Sequence, residues 1–204
     1  MLSSLKIGVL ASGSGTNLQA IIDAMKEGRV HADLRVVICN RPQAFALERA
    51  QKANISSIVV SHRNFATRED FEKELVQHLR QYDVELVVLA GFMRVLTPHF
   101  LRAFPARVIN IHPALLPSFP GTNALKQALE YGVKMTGCTV HFVDEGTDTG
   151  PIIAQAAVPV FDGDDEESLH QRVLEQEHRI YPWVIEQFAQ GRIQCEHRRV
   201  KIQD

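Results

Sequence analysis

Short runs dense in Val, Ile and Leu alternate along this chain with longer amphipathic stretches, and that alternation constrains the fold more than any other feature. The runs are Lys6 to Ala11, Leu34 to Cys39, Ser57 to Val60, Leu86 to Ala90 and Val108 to Ile111. Between them, Leu18 to Met25, Phe45 to Ala53 and Phe71 to Tyr82 carry helical spacing, the last opened by Thr67-x-x-Asp70 as a capping box. Strands joined through helices need crossover connections, which are right-handed and cover both faces of a mostly parallel sheet. The expected fold is therefore α/β and doubly wound. Ligands of such sheets bind beyond the carboxyl ends of the strands, so the loops after Ala11, Val60, Ala90 and Ile111 are where chemistry is expected.

After the Pro-rich stretch Pro113 to Pro120 the spacing predicts a short helix over Asn123 to Tyr131, then strands at Met135 to Val143 and Ile152 to Val160 that extend the same sheet. A last helix, Leu169 to Gln190, should be kinked by Pro182 and stopped by Gly191. No linker or repeat interrupts the 204 residues, a length that suits one domain over 1–204. With 45% hydrophobic and 23% charged residues the composition is that of a globular protein, and the net charge of -2 gives no overall attraction to nucleic acid or a membrane surface. Cys39, Cys138 and Cys195 are far apart and form no C-x-x-C pair, which argues against a disulfide framework or a thiolate zinc site and for a reducing cytoplasm. Met1 to Leu5 is too short and polar for a signal peptide, and no apolar run approaches the roughly 20 residues of a membrane span. The basic stretch His197 to Lys201 reads as a solvated terminus without a function.

Three segments carry candidate chemistry. Ser12-Gly13-Ser14-Gly15-Thr16-Asn17 lies between the first strand and the first helix, where backbone N–H groups, hydroxyls and a helix N-terminus can receive an anion; the alternative is an ordinary glycine turn. It lacks the Gly-Lys-Ser/Thr ending of a P-loop and the third glycine of the dinucleotide fingerprint, and the second strand ends in Asn40-Arg41-Pro42 without a ribose-binding acid. A monophosphate fits better than a dinucleotide. In Val108-Ile109-Asn110-Ile111-His112 strand alternation puts Asn110 and His112 on one face, and Pro113 keeps His112 extended. An imidazole exchanges protons near neutrality and an amide N–H stabilises an oxyanion without titrating, a pairing suited to acyl transfer. Asp144 to Pro151 is an acidic, glycine-punctuated loop; if Asp148 folds back to His112, its charge favours the protonated ring. His141, Asp144 and Asp148 lack a recognised metal-ligand spacing, so no metal is expected.

Other residues are ambiguous. The apolar loop Phe92 to Leu96 can line a pocket for a flat heterocycle or pack on the next helix, and Arg68 can reach an acidic ligand or face solvent. Glu177 falls inside the apolar stripe formed by Leu169, Val173, Ile180, Val184 and Phe188, where an acid needs either a structural partner or a substrate amine.

Taken in order, Ser12-Gly13-x-Gly15-Thr16-Asn17-Leu18-Gln19, Met93-Arg94-Val95-Leu96, Asn110-Ile111-His112-Pro113 with its continuation to Gly121, and Asp148-Thr149-Gly150-Pro151 resemble the folate-dependent formyltransferase family over essentially the whole chain. Within that family the chain is most similar to the phosphoribosylglycinamide formyltransferases; Ser14, Thr16 and Val95 are conservative departures. The resemblance implies a Rossmann-like fold and formyl transfer from 10-formyltetrahydrofolate to the amine of 5-phosphoribosylglycinamide in purine biosynthesis. It implies that Gly15, Thr16, Asn17, Leu18 and Gln19 hold the phosphoribosyl group and Glu177 the amine. Arg68, Met93, Arg94, Val95, Leu96 and Asn110 would contact the folate, with His112 as proton-transfer residue, Asn110 as oxyanion donor and Asp148 tuning His112. The partners are then small molecules alone, and a homodimer is compatible with the resemblance. A formyltetrahydrofolate hydrolase, an amino-sugar formyltransferase and a catalytically silent nucleotide-binding module are the competing readings. Replacing His112 or Asn110 by Ala is expected to lower turnover by ~10² to 10⁴, measured as kcat of formyl transfer with circular dichroism as the check on folding.

Overall fold

The computed structural model describes residues 4–203. Of the Met1 to Leu5 stretch, residues 1–3 lie outside the described residues. Its elements follow the expected alternation: β1 (Leu5–Ala11), α1 (Thr16–Lys26), β2 (Ala32–Cys39), α2 (Phe45–Lys52), β3 (Ser57–Val59), α3 (Arg68–Gln81), β4 (Leu86–Leu89), α4 (Pro98–Ala103) and β5 (Val108–His112). Then come α5 (Ala124–Tyr131), β6 (Met135–Phe142), β7 (Ile152–Pro159), α6 (Glu166–Ala189), β8 (Ile193–Glu196) and β9 (Arg199–Ile202). The main sheet runs in the order β3-β2-β1-β4-β5-β6-β7, parallel from β3 to β5. β6 and β7 are antiparallel additions, β6 to β5 and β7 to β6.

The sheet separates two apolar layers. Leu18 and Ile21 of α1, Ala46 and Ala50 of α2, and Val173, Tyr181 and Val184 of α6 pack on one face with Ile109 and Ile111 of β5. Phe71 and Leu75 of α3 and Phe100 of α4 pack on the other with Val108. The odd and even residues of β5 thus belong to different cores, as the pleat demands. Because α1 and α3 lie on opposite faces, the chain changes side between the neighbours β1 and β4, and the crevice above their carboxyl ends is the topological switch point.

The helix ends show how local sequence sets these boundaries. Thr67 caps α3, its hydroxyl oxygen accepting from Asp70 N at 3.1 Å, while the same hydroxyl donates to the Asp70 carboxylate. A complete capping box sits at Asp165 and Ser168, so α6 begins at Glu166, three residues before the apolar stripe. Helix α6 continues through Pro182 to Ala189, so the expected interruption does not end it. On its buried side Tyr181 donates a shared hydrogen bond to the carbonyls of Leu89 (2.8 Å) and Ile109 (3.2 Å), tying the helix to β4 and β5.

Two elements differ from the sequence expectation. Pro98 opens α4 at a position where its missing N–H costs nothing, in a stretch too short to show periodicity. The basic terminus keeps its charged side chains exposed but is no loose tail: β8 and β9 pair as a hairpin turning at His197 and Arg198, and Ile193, Val200 and Ile202 pack against the core. Its strands are four residues each and its turn lacks the Asn-Gly signature, so little in the sequence announced it. Among the described residues no helix is long and apolar enough to cross a membrane.

Tyr181→Phe leaves the packing intact and removes the hydroxyl, so it is expected to lower stability by about 1 to 2 kcal/mol and the melting temperature by roughly 2 to 8 °C. Thermal and urea unfolding measure both.

Candidate active site

The carboxyl edge of the sheet holds two hollows. One, of about 430 Å³, lies on the α3/α4 face and is walled by Phe92, Leu96 and Val143 of that core. Asn110, His112 and Asp148 line it together with the loop Met93 to Leu96. The second, of about 360 Å³, is bounded by Ser12 to Asn17 and by Glu177 of α6 on the other face. Gly91, Met93, Ile111 and Pro113 line both, so the two open onto each other across the sheet edge.

Asp148 is the centre of a polar array in the first cavity. Its Oδ2 lies 3.3 Å from His112 Nδ1 and accepts the Gly121 N–H at 2.8 Å, and its Oδ1 lies 3.6 Å from His141 Nε2. Burial pushes the Asp148 carboxyl up, but the His141 hydrogen bond, the Gly121 N–H and the two imidazole charges outweigh it and hold the group below its ordinary value. A carboxylate at neutral pH follows. The remaining His112 nitrogen, Nε2, is 2.8 Å from the Phe119 carbonyl. Both ring nitrogens therefore face oxygen acceptors.

His141 places Asn110. It lies directly opposite Asn110 in the β5/β6 register, and the Asn110 amide nitrogen sits 3.3 Å from His141 Nε2. The other ring nitrogen of His141 donates to the Phe142 carbonyl at 2.8 Å, so Nε2 is the nitrogen that lies between the Asn110 amide and Asp148. Asp148 does fold back to His112. Because β6 runs antiparallel to β5, it ends beside Val108, and the following loop folds back across the face to reach His112. Gly150 permits the return, since a Cβ there would lie 1.8 Å from the Phe142 carbonyl oxygen. Asp144 closes the loop on itself by accepting from Gly146 N and the Thr149 hydroxyl.

In the second hollow Gly15 is the N-cap of α1 with φ of +69°, and a Cβ on it would come within 2.8 Å of Ala46 Cβ. Glycine at this position satisfies both demands and brings no side chain to cap the first turn, so the helix N-terminus faces the hollow uncapped. Asn17 donates to Glu177 at 2.7 Å, and both are buried. The Asn17 Oδ1 is buried without a hydrogen-bond partner among the described residues. Burial pushes the Glu177 carboxyl up to about 7, against the opposing pull of the Asn17 hydrogen bond.

Comparison with known proteins decides the family. Residues 5–185 match the formyl transferase family. The chain belongs to it. It is 48% identical over 189 residues to the phosphoribosylglycinamide formyltransferase of Escherichia coli, covering 93% of this chain and 89% of that protein. It is also 50% identical over 188 residues to the trifunctional purine biosynthetic protein adenosine-3 of Drosophila melanogaster, covering 91% of this chain but only 14% of that larger protein. The crystal structure of glycinamide ribonucleotide transformylase 1 from Symbiobacterium toebii superposes with a TM-score of 0.98 at 52% identity, covering 100% of this chain and 96% of that one.

The formyltransferase fold brings most of the expected residues together. Met93, Arg94, Val95 and Leu96 line the first cavity with Asn110, His112 and Asp148; Gly15, Thr16, Asn17 and Glu177 line the second. Three residues are placed otherwise. Leu18 is fully buried in the core, so only its backbone faces the α1 N-terminus. Gln19 is engaged by Asp23 and Arg49 and lines a separate hollow with His178. Arg68, the first residue of α3, is exposed and outside the cavity wall. Two residues were missed. His141 needs the β5/β6 register to be recognised, and Glu72, buried in α3, accepts from Thr97 N (2.8 Å) and the Thr97 hydroxyl to fix the end of the 91–97 loop.

Because the folded Glu177 titrates above an ordinary glutamate, its stabilising protonated form is fully present below pH ~4.5 and lost as pH rises through about 7. Glu177→Gln should therefore remove up to roughly 3 kcal/mol of stability loss between pH 4.5 and 8, measured by chemical denaturation of both proteins across that range.

Proposed function

We propose that the protein, as one formyltransferase domain, transfers a formyl group from 10-formyltetrahydrofolate to the amine of 5-phosphoribosylglycinamide. The observation that carries this reading is the meeting of two hollows of different chemistry at one sheet edge. One is apolar with an amide, a histidine and an aspartate. The other joins an uncapped helix N-terminus to a buried acid.

The acceptor fits the second hollow by charge. Its phosphate meets the free N–H groups of Thr16 and Asn17, together with the Thr16 hydroxyl. Its amine supplies the N–H donors that the Glu177 carboxylate and the orphaned Asn17 Oδ1 can receive. The fit of the donor rests on the apolar wall of the first cavity and on Arg94, whose Nε is buried without an acceptor among the described residues and awaits a polar group. As co-substrate the folate supplies the formyl carbon. Asn110, its amide fixed by His141, directs a second N–H toward the cavity as oxyanion donor. His112 delivers and collects protons. Asp148 keeps Nδ1 engaged, so the Nε2 bond to the Phe119 carbonyl is the one a reacting group replaces.

The same reading places the protein in the cytoplasm with small molecules as its partners. Mixing the protein with 10-formyltetrahydrofolate, with and without phosphoribosylglycinamide, tests the proposal. Folate deformylation is expected only with the acceptor present. Turnover without acceptor would make the protein a hydrolase, and none in either mixture would make it a binding module. Asp148→Asn should lower kcat by ~10² or more with little change in melting temperature.

A further inference from the structure

Asn40 stands at the end of β2, where dinucleotide-binding sheets carry an acid for ribose, yet its side chain is 2% exposed and turned inward. Its Oδ1 accepts the Ser12 hydroxyl at 2.6 Å, and its Nδ2 donates to His62 Nδ1 at 3.3 Å. Ser12, equally buried, does more than fill a turn. Its hydroxyl oxygen accepts the Met93 N–H at 2.9 Å, and its own N–H donates to the Gly91 carbonyl at 3.1 Å. Ser12 begins the loop that carries the helix N-terminus of the second hollow, while Gly91 and Met93 line both hollows. The bonds cross the switch point between β1 and β4, where no ladder continues and the two loops diverge to opposite faces.

We propose that Ser12, oriented by Asn40, is a positioning residue that locks the formyl-donor loop 91–95 to the acceptor loop 12–17, so that each substrate is held in register with the other. The chemistry asks for this. Transfer between two ligands reached from opposite faces depends on the relative placement of two loops, and a displacement of about 1 Å costs ~10²-fold in rate. The hydroxyl is suited to the position because one oxygen accepts from one loop while its hydrogen is spent on Asn40, which fixes the rotamer and leaves the lone pair aimed at Met93. Glu72 fixes Thr97, just beyond the far end of that loop, so Ser12 governs the end nearer the acceptor.

This inference rests on the formyl-transfer reading, and its test uses one readout that needs no substrate. In Ser12→Ala, hydrogen exchange at the Met93 amide is expected to be roughly 3- to 10-fold faster, and KM for both the formyl donor and phosphoribosylglycinamide to rise by a similar factor. Asn40→Ala should move both readouts in the same direction, and the double variant should be no worse than Ser12→Ala, because the two act through one hydroxyl. Should Ser12→Ala fail to fold, Asn40→Ala alone carries both measurements. Faster exchange with both KM values unchanged would reduce Ser12 to a structural tie, and altered KM values without faster exchange at Met93 would place the effect elsewhere; either result overturns the proposal, as does a multiplicative double variant. A wild-type protein without acceptor-dependent transfer would instead refute the reading of function, while the exchange data would still report whether the joint exists.

Discussion

A sheet covered by helices on both faces leaves the carboxyl edge as the place where polar groups can emerge, and the site depends on that constraint. Of the five parallel strands, β1, β2, β4 and β5 are buried over most of their length and mainly apolar, while β3 is the partly exposed edge. Their backbone groups are spent on the ladder. Where α1 and α3 part to opposite faces, the strand ends lose this cover, and loops with free N–H groups and hydroxyls take its place. The Ser12 to Asn17 turn, the 91–97 loop and the Asn110 to His112 segment all lie there, on β1, β4 and β5 respectively.

The second determinant is the double character of β5. It pairs in parallel with β4 and antiparallel with β6, so one strand joins the wound half of the sheet to the antiparallel half. The parallel side fixes how far Asn110 and His112 project beyond β4, and the antiparallel side sets His141 across from Asn110. Asp148 then needs only a loop that folds back. Gly150, where backbone meets backbone, allows it. A short, strongly interacting array results: one carboxylate facing two imidazoles, one of which orients an amide.

Much of this was legible from the sequence because it rests on periodicity. The strands from β1 to β5, the sharing of one face by Asn110 and His112, and the placement of Glu177 within the buried stripe of α6 all follow from spacings of 2 and 3.6 residues. What could not be read depends on pairing between distant segments. Nothing in Met135 to Phe142 declares that it runs antiparallel to β5, so His141 appeared only as one more histidine near acids. Glu72 is buried because Thr97, distant in sequence, meets it, and no local spacing marks that contact. Leu18 and Gln19 belong to the motif by position, but the helix turns one side chain into the core and the other toward Arg49. A motif in sequence is contiguous; its folded side chains radiate.

The shared rim at Gly91, Met93, Ile111 and Pro113 has a consequence for substitution. Those four residues form wall to both hollows, so a change of side chain or backbone at any one of them reshapes the two together. Neither hollow can be altered along that rim in isolation.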